Sequence, residues 1–170
     1  MKKPLLTDFP EYYRRYIEKV IDKDILKYFA EQKNYVVDFF ASIDEEKSKY
    51  RYAENKWSIK QILGHLCDSE RIFITRALKF ARNEKQSLPG FDENEYVDSA
   101  NFDELSLEIL IDDFKKMRDS HISLFKTFND EILDRKGIAN NTEYSVSSVL
   151  YIMAGHVDHH LKVIKEKYIA

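Results

Sequence analysis

Apolar positions recur at helical spacing along four long stretches of the chain, and each stretch opens on a residue suited to cap a helix. Over residues 24–43, Ile25, Phe29, Val36, Phe39, Phe40 and Ile43 fall on one stripe, which predicts a first long helix. The second begins at Ser58. Gln61, three positions on, completes a capping box there, and Trp57 and Ile62 take the hydrophobic-staple positions. This helix is expected to run to about residue 83, with Ile59, Ile62, Leu66, Phe73, Ala77 and Phe80 inward. Ser106 caps a third helix that turns Leu107, Leu110, Ile111, Phe114, Met117, Leu124, Phe125 and Phe128 inward and ends before Asn129. Gly137, Asn140 and Asn141 mark a turn. After it, Tyr144, Ser145 and Val149 repeat the helix start of Trp57, Ser58 and Ile62, and a fourth helix carries Val149, Ile152, Met153, Val163 and Ile164 on its apolar side.

The connections add two features. Thr7 or Asp8 ahead of Pro10 predicts a short N-terminal helix to about Val20, its tyrosines packing across the end of the bundle. Residues 84–105 form a long connection with a Pro89-Gly90 turn. Connections of that length are usually crossovers or lids, and this one can return along a whole helix, so the second and third long helices can run parallel.

Composition narrows the class. The 170 residues are 44% hydrophobic with only four Gly and three Pro, which suits one all-α domain over residues 1–170 and argues against a many-turned β protein. A net charge of −3 with mixed signs offers no basic stripe, so nucleic acid is not an expected partner. No apolar run is long enough to span a bilayer, and a lone cysteine, Cys67, rules out an internal disulfide. A cytoplasmic protein with no membrane partner is expected, with Cys67 as a packing residue.

Five polar side chains interrupt or border the apolar stripes. Gln32 needs buried partners and is either tied to a neighbouring helix or aimed at a polar site. Glu70 lies between Leu66 and Phe73, and Arg118 inside the third stripe is its natural partner, because a buried charge must be paired or neutralised. His121 reads as a hydrogen-bonded core histidine, and His65 on the flank of its stripe reads, in isolation, as a half-buried one. Arg71, Arg76 and Arg82 read as solvated.

The fourth helix contains Gly155-His156-Val157-Asp158-His159-His160. His156 and His160 stand one turn apart on an inward face, about 6 Å along the axis, a spacing at which two imidazoles can share a metal. Two histidines on one face are also common as core or dimer-contact residues, and a third ligand decides between the readings. His159 points aside and Asp158 nearly to the back.

Four amphipathic helices, the run Trp57-Ser58-Ile59-Lys60-Gln61-Ile62-Leu63-Gly64-His65-Leu66, and the histidine motif of the fourth helix together resemble the DinB/YfiT-like superfamily, a group regarded as metalloenzymes. The resemblance spans residues 24–168. It implies a DinB-like four-helix bundle of up-down-down-up course, with a short extra N-terminal helix and a long crossover between helices 2 and 3, and often a homodimer. It also implies a metal triad that falls on His65, His156 and His160. Some members of the group resemble thiol S-transferases that use low-molecular-weight thiols.

Three histidines leave a divalent ion (Zn, Ni or Fe) with an open position, the arrangement of catalytic sites. The leading expectation is a thiol S-transferase joining a small thiol to an electrophilic substrate. A metal-dependent hydrolase is the alternative among enzymes, and a non-catalytic metal-binding stress or interaction protein the alternative outside them. No catalytic residue beyond the ligands is identified. Asp68 is either an acceptor behind His65 or a solvated surface residue, and the 84–105 connection either covers the site, with Phe91 as an anchor and Asp92 or Glu93 approaching, or is a solvated crossover.

Overall fold

The computed structural model describes residues 1–169. Four long helices, α2 (Ile25–Ala41), α3 (Ile59–Ala81), α5 (Leu107–Phe125) and α7 (Val146–Lys167), accompany three short ones, α1 (Arg14–Ile17), α4 (Glu93–Ala100) and α6 (Asp130–Asp134), and two strands, β1 (Lys136–Ala139) and β2 (Thr142–Ser145). The caps lie where short polar residues precede apolar runs. Asp24, Ser58, Ser106 and Ser145 each accept a backbone N–H of the first turn, and Ser58 with Gln61 forms the full capping box.

Cross-helix pairs give the helix directions. Gln32 meets Arg118 and Phe29 meets Phe125, so α2 and α5 are antiparallel. Lys60 reaches the Leu105 carbonyl and Glu70 pairs with Arg118, so α3 and α5 run parallel. The chain before α3 meets the chain after α7, where Tyr168 donates to the Trp57 carbonyl, so these two are antiparallel. The course is up-down-down-up.

The expected four-helix bundle carries one small addition to its helices, an antiparallel hairpin over residues 136–145 with Ala139 opposite Thr142. Asn140 and Asn141 both adopt positive φ, 48° and 58°, the two-residue turn whose twist suits a hairpin. The 84–105 connection is also more ordered than a loop. It contains α4, capped by Asp92, and a 3₁₀ turn at Phe102–Glu104. Its first part lies along the hairpin, since Leu88 donates to the Ile138 carbonyl and accepts from Asn140 N–H. The N-terminal helix is shorter than expected, a 3₁₀ turn (Glu11–Tyr13) followed by α1.

Two apolar clusters fill the bundle, one around Phe29, Phe73, Phe125 and Tyr151, the other around Phe40, Leu63, Phe114 and Leu161. Between them lies a polar layer to which all four long helices contribute. Arg118 donates through Nε to both Glu70 carboxylate oxygens at 2.9 and 2.7 Å and through Nη1 to Gln32 Oε1 at 2.8 Å. Gln32 Nε2 in turn donates to the Ala154 carbonyl (2.8 Å) and Asp158 (2.6 Å), and His121 Nδ1 lies 3.2 Å from Glu70. Glu70 and Arg118 are completely buried. The pairing expected between α3 and α5 is present, and Gln32 ties α2 to α5 and α7.

Candidate metal centre

At the level of this polar layer, on its α3–α7 side, three imidazoles meet. Antiparallel packing of α3 on α7 sets His65 opposite the two histidines one turn apart on α7. His65 Nε2 is 3.2 Å and His160 Nε2 is 3.0 Å from His156 Nε2, and one ligand atom from each ring lies within 4.8 Å of the others. His65 and His156 are buried, and His160 is half-buried. His159 is turned aside, its ring 5.3 Å from that of Tyr16.

All three rings are held neutral. Burial pushes His65 down to about 4, and burial together with the neighbouring imidazoles lowers His156 and His160 well below the usual histidine value. A neutral imidazole offers one ring lone pair, and in the Nδ1–H tautomer all three Nε2 lone pairs would face the centre of the trio, where no single proton can satisfy three acceptors. A divalent ion can, and tetrahedral coordination at 2.0–2.1 Å separates ligand nitrogens by about 3.3 Å. The trio therefore fits a metal.

What orients the rings differs from expectation. Asp68 makes no hydrogen bond to His65. Ser69 Oγ lies 3.4 Å from His65 Nδ1 instead, and the Trp57 ring packs on His65 with centroids 4.6 Å apart. His156 Nδ1 is buried with no hydrogen-bond partner, and its ring is set by edge contacts with Tyr16 and Phe73. Trp57, read as a staple residue, is thus a wall of the site. Gly155 enables this packing, because a Cβ there would collide with the Tyr16 backbone carbonyl, so glycine lets α1 sit directly on α7.

The trio borders a cavity of about 430 Å³. Tyr12, Tyr13 and Tyr16 wall one side, Phe91 and Glu93 of the long connection another, and Asn140 and Tyr144 of the hairpin a third. The connection does reach the site with Phe91 and Glu93, whereas Asp92 is occupied as the cap of α4. Arg76 also lines the cavity and is buried, contrary to the solvated reading. A second hollow of about 480 Å³ lies between α2 and α7, lined by Tyr28, Tyr35, Asp158 and Lys165, and holds no histidine. Cys67 is buried away from the cavity and its thiol is pushed up by burial, which leaves it unreactive.

Residues 28–164 match the DinB superfamily. The chain belongs to that superfamily. Across 152 residues this DinB chain is 28% identical to a protein of Oceanobacillus iheyensis named "Putative metal-dependent hydrolase OB0413", with 87% of each chain covered. Its fold is similar to that of YfiT from Bacillus subtilis, described as a probable metal-dependent hydrolase with an unusual four-helix bundle topology. The TM-score is 0.70 at 16% identity, over 97% of this chain and 90% of that one. No helix among the described residues is long and apolar enough to cross a membrane.

Proposed function

We propose that this DinB protein is a metal-dependent enzyme that acts on a small molecule in the aromatic cavity, with one divalent ion held by His65, His156 and His160. The convergence of three neutral Nε2 atoms at the wall of a solvent-connected cavity carries this reading. A divalent ion such as Zn, Ni or Fe, held by these three histidines, would supply Lewis acidity that lowers the pKa of a thiol or water beside it. Trp57 and Phe73 shield the histidines from bulk water, and Tyr16 packs against His156 to fix its ring.

Transfer of a small thiol to an electrophile, in a reducing cytoplasm, is the leading reaction. Three of the four histidines lining the cavity are spent as ligands, the fourth, His159, packs its ring on Tyr16, and burial raises the Tyr13 and Tyr16 hydroxyls, the latter to about 12, so neither tyrosine serves as a base at neutral pH. A thiol needs no further base once the metal has lowered its pKa, and the aromatic walls suit placement of an electrophile beside it. Hydrolysis is the second reading. Glu93, the one carboxylate lining the cavity among the described residues, favours it as a proton acceptor, and so do the names of the two relatives.

The test is to load the protein with Zn or Ni and assay conjugation of a generic electrophile across a panel of cellular thiols, beside hydrolysis of esters and amides. Metal-dependent conjugation is expected. Metal-dependent hydrolysis without thiol would reverse the ranking, and inactivity with a coordinatively closed metal would overturn the enzyme reading.

A further inference from the structure

The cavity holds a cation that metal chemistry does not use. Arg76, three turns along α3 from His65, is only 5% exposed. The other buried cations are paired with carboxylates, Arg118 with Glu70 and Lys60 with Glu45. Arg76 forms no ion pair among the described residues. Its Nη2 donates to the Pro89 carbonyl at 3.1 Å, and its guanidinium lies 5.7 and 6.0 Å from the Phe73 and Phe91 ring centroids. One carbonyl and two ring faces offset part of the cost of burying a full charge, and the donors left over open to the cavity, where an anion can reach them. Its remaining donors have no protein partner among the described residues, and the side chain borders the cavity shared with the three histidines.

We infer that Arg76 is the receptor for a carboxylate carried by the substrate or thiol that enters this cavity. The inference deepens the functional reading above and rests on the same cavity. One guanidinium balances one carboxylate and matches it through two parallel N–H donors. A phosphate ester dianion asks for a second cation, and neither a lysine nor another arginine lines the cavity among the described residues. Tyr13 and Tyr144, their rings 5.8 Å apart, line the same end, and both hydroxyls stay protonated at neutral pH, so they can donate to the second carboxylate oxygen. Phe73 and Phe91 fix the plane of the guanidinium. Arg76 is in this account a specificity determinant: it sets which molecules bind and where their reactive end lies relative to the histidines.

The experiment is calorimetric titration of the metal-free, chelator-treated protein with phenylacetate, its neutral isostere phenylacetamide, and phenyl phosphate. Wild type, Arg76→Gln and Arg76→Lys are compared. Wild type is expected to bind the acid at least ten-fold more tightly than the amide. Arg76→Gln should abolish that preference, and Arg76→Lys should keep part of it. Equal affinity of wild type for acid and amide, including no binding of either, overturns the inference. So does a preference that survives in Arg76→Gln, or a ten-fold preference for the phosphate ester over the acid. The acid–amide comparison in wild type decides even if a variant fails to fold. Because the chelator removes any ion a carboxylate could coordinate, failure of the metal assignment leaves this result readable, and failure here leaves metal binding standing.

Discussion

Arg118→Met removes one charge from a layer where everything else stays buried, and its cost follows from the partners left behind. Arg118 contributes three of the hydrogen bonds that hold the Glu70 carboxylate and a further one to Gln32. With both groups fully buried, stranding either charge should cost about 3–5 kcal/mol. Replacing both, as Glu70→Leu with Arg118→Met, leaves no stranded charge. It exposes only the lost contacts of Gln32 Oε1 and His121 Nδ1, at about 1–2 kcal/mol each. The double variant should therefore cost about 2–4 kcal/mol, against roughly 6–10 if the single costs simply added. Urea unfolding of all four proteins measures the coupling. The pH dependence supplies a second reading. In wild type, burial pushes the Glu70 carboxyl up, but the Arg118 guanidinium and His121 outweigh it and hold the group below the usual range. Its contribution is thus full above the unfolded value of about 4.3 and lost as pH falls through the folded value. In Arg118→Met the guanidinium is gone and burial, opposed only by His121, raises the carboxyl, so the deficit against wild type should narrow as pH falls toward about 4. Additive single costs, or a deficit independent of pH, would refute the reasoning.

Metal-free protein should lose stability on acidification in a second, separate window. The buried histidines have folded pKa values below the unfolded value of about 6.5, so the unfolded state binds more protons and stability falls as pH drops from there toward the His65 value of about 4; bound divalent metal should suppress the loss, as thermal unfolding with and without ion will show. Gly155→Ala should destabilise by about 1–3 kcal/mol despite alanine's better helix propensity, because the new methyl displaces α1 at Tyr16, and metal affinity should fall with it. Phe91→Ala, at the half-buried tip of the long connection, should weaken small-molecule binding in calorimetry while changing urea stability by under about 1 kcal/mol.

The four long helices were readable because their cores obey a local period and their starts are capped by the chain itself. Glu70, Arg118 and Gln32 were readable for a related reason, since each is a polar side chain in an apolar stripe and burial leaves few ways to satisfy it. The site was readable in its ligands and only in part beyond them. Arg76 falls about 20° from His65 on the α3 helical wheel, at the edge of the apolar stripe, so its position near the cavity was legible, whereas its cover by Pro89 and Phe91 was not, because they arrive from a connection whose path no local pattern records. Trp57 fits a staple position as well as it fits a wall against His65, and only the α3–α7 crossing separates the two. Asp68 and Ser69 are neighbours on one turn, and a small rotation of the helix decides which faces His65. The hairpin escaped because its strands have four residues each, too few to show alternation, although Asn140 and Asn141 were the right residues for its positive-φ turn.

Metal analysis of protein purified without a histidine tag, paired with titration of Zn and Ni into the chelated protein, tests the central claim most directly. One divalent ion per chain is expected, with stoichiometric binding abolished in each of His65→Ala, His156→Ala and His160→Ala while urea unfolding shows the variants still folded. A chain that binds no divalent ion, or a folded His65→Ala that binds it with undiminished affinity, would contradict it.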